Sequence, residues 1–201
     1  MLHIIGLHHR AQAQRPGNQL TGPQQAFADS LRRTIEQVRS SFIAEEDSAE
    51  ALCERYQVSI AKEIAHEKGI EHRFCDPTRE QRKAIGCVDG QTLEREMLMH
   101  DDSNLSNEET RIKARAIETA RNSPIRERFW LERLDGCRDH DAVFICGDGH
   151  IDSFGRLLKS NGVPCVVVER GIGLNEEDEK MGWFDAEVQK YLNGHPELMN
   201  E

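Results

Sequence analysis

Apolar residues cluster in short runs along this chain: Leu2 to Leu7, Phe42 to Ala44, Ala142 to Cys146 and Val163 to Val168, with a weaker run at Ile70 to Cys75. These runs lack polar alternation, which predicts strands covered on both faces. Helical periodicity fills the gaps. Phe27, Leu31, Ile35 and Val38 form one stripe, opening after Pro23, a residue tolerated in a first helical turn. Ile60, Ala61, Ile64 and Ala65 form another, with Ser59 as N-cap and Gly69 as stop. A short charged helix is expected around Thr78 to Ile85. From Gly86 to Asn107 periodicity fades, predicting an insertion or a mobile lid, cut first by proteases, because long structureless connections are uncommon in compact domains.

Ser106-x-x-Glu109 reads as a capping box, starting a helix whose Ile112, Ala116, Ile117 and Ala120 share one face. Ser123-Pro124 is expected to start a separate helix through Phe129, Trp130 and Leu134, stopping at Gly136. Next come a strand at 142–146, a helix carrying Ile151, Phe154, Leu157 and Leu158, and a strand at 163–168. That is a βαβ crossover with parallel strands. The acidic run Glu176 to Glu179 reads as a solvated loop, and Phe184, Val188 and Leu192 as one face of a last helix. The expected fold is therefore α/β: a mainly parallel central sheet flanked by helices, one domain over residues 1–201, with a helical insertion or lid at 87–123.

Composition narrows the function classes. With 36 acidic against 26 basic side chains the formal charge is -10, which disfavours nucleic acid and anionic lipid as partners. No segment reads as a signal or a membrane span. The six cysteines show no C-x-x-C spacing and are expected to be reduced core thiols of a cytoplasmic protein.

In open parallel sheets ligands bind beyond the carboxyl ends of the strands. Four runs end there in polar chemistry: Gly6-Leu7-His8-His9, Glu45-Glu46-Asp47, Asp76, and Gly147-Asp148-Gly149-His150. Gly-x-x-His leaves a strand at Gly6 and again at Gly147, and a glycine permits the tight bend that turns an imidazole back over the sheet. The imidazoles of His9 and His150 with a carboxylate from Glu45 or Glu46, Glu45 being the first choice, could hold zinc or manganese, or act as acid and base. His8 and Asp148 are expected to orient an imidazole, as partners behind a ligand do. Arg79 and Arg82, with Lys83, could grip a substrate phosphate or carboxylate, against the plainer reading of a charged helix face. Arg126, Arg128 and Arg133 read as surface, interleaved with Glu127 and Glu132. His66, His72, His100, His140 and His195 have no partner at useful spacing and receive no role.

The paired Gly-x-x-His motifs, the acidic end of the second strand and the closing Cys146-Gly147-x-x-His150 resemble the Tiki, TraB, erythromycin esterase and ChaN superfamily, over roughly residues 1–55 and 140–170. The resemblance implies an α/β fold and activities that range from metal-dependent proteolysis and lactone hydrolysis to haem binding. Carried over by motif, His9 and His150 are the imidazoles and Glu45 or Glu46 the acid.

Two other sites fit less well. Gly147-x-Gly149 lacks the third glycine of a dinucleotide loop, having Asp152 there, and no G-x-S-x-G surrounds Ser153 or Ser160. The expected function is a metal-dependent hydrolase of a small molecule or peptide, in which the metal activates a water. The alternative is a non-catalytic module that binds a ligand or protein partner in the same cleft.

Overall fold

The computed structural model describes residues 1–99, 106–173 and 183–199. The chain divides into two compact units, residues 1–78 with 127–174, and residues 79–126 with 175–201; the expected insertion at 87–123 falls within the second.

The first unit is an α/β sandwich. Its strands are β1 (Leu2–Leu7), β3 (Phe42–Glu45), β5 (Glu71–Phe74), β6 (Ala142–Gly147) and β7 (Cys165–Ile172). They form one parallel sheet in the order β5-β3-β6-β1-β7. A separate two-stranded ribbon pairs β2 (Ala13–Gln14) with β4 (Val58–Ser59). Successive side chains of a strand point to opposite faces, and the core obeys this. Leu2, Ile4, Phe42, Ala44, Phe144 and Cys146 face Trp130 of α6 (Asn107–Arg133), Leu134 just beyond it, and Phe154 and Leu158 of α7 (Ile151–Ser160). Ile5, Leu7, Ile43, Val143 and Ile145 face Phe27 and Leu31 of α1 (Gly22–Val38) and Ile60 and Ile64 of α3 (Ile60–Lys68). The short α2 (Ala49–Glu54) follows β3, capped by Ser48.

β1, β3 and β6 are covered on both faces as expected, but β7 is not: Val166, Val167 and Val168 are each exposed by 41 to 42 %. The reason is position, since β7 ends the sheet and among the described residues β1 alone pairs with it.

The second unit is helical, with α4 (Arg79–Ala84), α5 (Gly90–Met99), most of α6 and α8 (Trp183–Gly194). Ala116 and Ala120 of α6 pack with Val188 and Leu192 of α8, and the Asn122 side chain bonds both the N–H and the C=O of Val88. Two expectations are corrected by the structure. The stretch after Gly86 contains the helix α5, capped by Asp89, which accepts from Gln91 N–H at 3.2 Å and Thr92 Oγ1 at 2.7 Å. Its apolar periodicity is faint because none of its residues is buried. Ser123-Pro124 does not start a new helix but lies inside α6; a proline removes one backbone donor, and the apolar stripes on either side hold the helix together. The capping box at Ser106 and Glu109 is present. Part of the expected lid, residues 100–105, and the acidic run Glu176 to Glu179 lie outside the described residues. Among the described residues no helix is long and apolar enough to cross a membrane.

Candidate functional site

The two Gly-x-x-His turns leave neighbouring strands, with Gly6 paired to Cys146 and Leu7 to Gly147. Each glycine makes room for the other turn. A Cβ on Gly6 would overlap the Ile151 side chain and lie 2.7 Å from Asp148 Oδ1; one on Gly147 would lie 2.9 Å from His9 Nε2 and 3.4 Å from Glu46 Oε2. The glycines therefore serve close approach, and the two turns interlock.

The acidic end of β3 continues the ladder: Glu46 N–H donates to the Ile145 carbonyl at 2.8 Å, and Cys75 N–H to the Glu45 carbonyl at 2.9 Å. This pulls Glu45, Glu46 and Asp47 inside, at 0, 3 and 8 % exposure. The pleat sends Glu45 and Glu46 to opposite faces. Glu45 turns to the α1 and α3 side, where its carboxylate accepts from Gln12 Nε2 at 2.8 Å and pairs with His72 Nε2 at 2.8 Å. His72 stands opposite Ile43, on the same face as Glu45 and diagonal to it.

Glu46 turns to the α6 and α7 side. Its Oε2 accepts the Gly147 N–H at 2.8 Å and its Oε1 lies 3.5 Å from His150 Nε2. The other imidazole nitrogen, His150 Nδ1, meets Glu127 Oε1 at 2.9 Å. The ring stacks edge-on against Trp130, centroids 4.9 Å apart, and Trp130 Nε1–H donates to Asp76 at 3.0 Å. Ser153 Oγ also donates to Glu127, at 2.5 Å, so its proton is committed to a carboxylate and not to an imidazole that could activate it.

The predicted residues are thus sorted into two groups. His9, Glu46 and His150 gather around Gly147, whereas Glu45 spends its carboxylate on Gln12 and His72. Asp148 does not orient an imidazole: its carboxylate accepts the Gly171 N–H at 2.9 Å and faces Arg170 at 3.5 Å, tying the turn to β7. Nor does His8, whose Nδ1 accepts the Arg10 N–H at 3.4 Å while its own backbone N–H extends the β7 pairing to Ile172. Arg79 and Arg82 lie on α4 of the second unit. Among the described residues no three His, Cys, Asp or Glu side chains are arranged to hold a metal ion, so the set His9, His150 and Glu45 is not assembled as one.

Two residues with partners at these carboxylates and imidazoles do not stand out in the sequence. Glu127 reads there as surface charge yet is 3 % exposed. The signal that marks it is its place three before Trp130 and seven before Leu134, on the buried stripe of α6. His72 carries no such signal, because its partner lies on another strand, beyond any local spacing rule.

Burial raises the Asp47 carboxyl above its usual range, against the pull of the Ser48 N–H and the Arg55 guanidinium, 2.7 Å away. Burial also pushes the Cys75 thiol up to about 12 and the Cys146 thiol well above its ordinary value. All six cysteines are free, and Cys53 is exposed. Thiolate is the reactive form, so iodoacetamide at pH 8 is expected to label Cys53 while Cys75 and Cys146 stay unmodified until the protein is unfolded; mass spectrometry showing early labelling of either buried thiol would contradict the packing described.

No family model matches the chain, and neither a curated protein nor a solved structure is significantly similar to it.

Proposed function

We propose that the protein is a hydrolase of a small-molecule or peptide substrate, working by acid–base chemistry at His150 and Glu46 on the carboxyl edge of the sheet. The observation that carries this reading is the placement of one imidazole between two buried carboxylates, Glu127 on Nδ1 and Glu46 near Nε2. Glu127 accepts the Nδ1 proton, which leaves Nε2 of the neutral ring as a proton acceptor. The 3.5 Å between Nε2 and Glu46 exceeds a direct hydrogen bond, and a water bonded to both atoms would sit beside the pair. Nε2 takes the proton of that water as it attacks a carbonyl carbon. The imidazolium so formed lies between two negative charges, and it returns the proton to the leaving group. The resemblance to the Tiki and erythromycin esterase superfamily supports the same reaction class. The metal-dependent form of the reading would use His9, His150 and Glu46 in place of Glu45, and no step above requires it.

The test is a panel of chromogenic esters, lactones, amides and peptides, with metal-free buffer and added zinc or manganese as parallel arms. Turnover in chelated buffer that is lost in His150→Ala supports the acid–base pair. Turnover only with an added ion would replace it by metal-assisted chemistry, and saturable binding without turnover would favour a binding module.

A further inference from the structure

Gln12 is 1 % exposed and stands between Glu45, Glu46 and His9. A side-chain amide has a donor end and an acceptor end, and its neighbours decide which faces where. One end meets Glu45 Oε2 at 2.8 Å and the Glu46 backbone carbonyl at 3.4 Å. Both are acceptors, so that end is the NH₂. The other end, the oxygen, therefore faces His9 Nδ1, at 3.4 Å. An oxygen can only accept, so Nδ1 of a neutral His9 carries the proton and Nε2 is bare. In water the opposite form, with hydrogen on Nε2, is the more populated. The bare Nε2 is the atom that lies against Gly147, beside Glu46 Oε2. His150 is held in the same form by a different partner, Glu127.

We propose that Gln12, aimed by the buried Glu45, is a positioning residue that locks His9 with its proton on Nδ1, making His9 Nε2 a second proton acceptor of the site on the β1 side of Gly147. Its part in catalysis rests on the acid–base reading; the tautomer rests on hydrogen bonds alone. With both imidazoles bare at Nε2 and the Glu46 carboxylate also against Gly147, the groups around Gly147 are acceptors, which favours a donor there, such as the attacking water, over a carbonyl oxygen.

Long-range ¹⁵N–¹H correlation spectra of the full chain decide this, recorded at pH 8, above the ordinary imidazole range of about 6.5. Protonated and bare ring nitrogens resonate far apart, and His9→Gln and His150→Gln spectra assign the two rings. The expected result is hydrogen on Nδ1 for both histidines in the native protein. In Gln12→Leu, His9 alone should shift toward the Nε2–H form. A native His9 with hydrogen on Nε2 overturns the proposal, as does a Gln12→Leu protein in which His9 is unchanged. Should Gln12→Leu fail to fold, the native spectrum alone decides between the two forms. An Nδ1–H His9 in a protein that turns over no substrate would sink the hydrolase reading and leave the positioning chain standing.

Discussion

Replacing Glu46 by glutamine is expected to lower kcat/KM on the best substrate by about 10²–10⁴-fold, the usual worth of a positioned acid–base group, with the fold intact. The amide oxygen of Gln can still accept the Gly147 N–H that Glu46 Oε2 accepts at 2.8 Å. Its NH₂ then points to His150 Nε2 and caps the lone pair that should take the proton. Because the substitution removes a buried charge (Glu46 is 3 % exposed), the melting temperature should stay level or rise, as it often does when an active site is relieved. Steady-state kinetics beside a thermal melt read both quantities. A variant within about threefold of the native rate, far short of that usual worth, would take Glu46 out of the mechanism.

The second large effect is on stability, and it separates Glu45 from its neighbour. His72→Ala should cost about 3–5 kcal/mol, because it leaves a buried carboxylate with one partner fewer. In the native protein the His72 and Glu45 side chains are 9 % and 0 % exposed and 2.8 Å apart. The loss includes the edge-on contact of the ring with Phe74, centroids 4.6 Å apart. Replacing both residues by leucine should recover much of it, since a well-packed apolar pair often matches a buried polar pair. Urea titrations of the three proteins measure this. A loss below about 1 kcal/mol for His72→Ala, the level typical of exposed pairs, would mean that Glu45 is not held as a buried charge.

How far the sequence revealed this arrangement depended on the range of each rule. Apolar runs located the strands of the central sheet: burial on two faces leaves a pattern within a few adjacent residues in β1, β3 and β6, while β5 and β7, at the edges, carry apolar residues without that burial. Strand order is not local, so nothing in the sequence placed the end of β3 beside the turn after β6. Glu45 and Glu46 look equivalent as letters, yet the pleat alone assigns one to His72 and the other to His150. That assignment emerges when the alternation Phe42, Ile43, Ala44 is carried on to the end of the strand. Glu127 was legible in principle, as a carboxylate on an apolar stripe, and was masked by the arginines around it. The continuity of α6 through Pro124 was not legible, because a proline after serine is the ordinary mark of a helix start.

The interlock of the two glycine turns also bears on the order in which the chain folds. β1 lies far ahead of β6 in the sequence, so their pairing closes a long loop, a contact of the slow, non-local kind. His9 cannot settle over Gly147, nor Ile151 over Gly6, before that pairing exists. The candidate site is thus assembled by a late step. A ribosome-bound chain whose sixth strand has not yet emerged carries His9 and Glu46 but no His150, so the candidate site is incomplete until synthesis has passed that point.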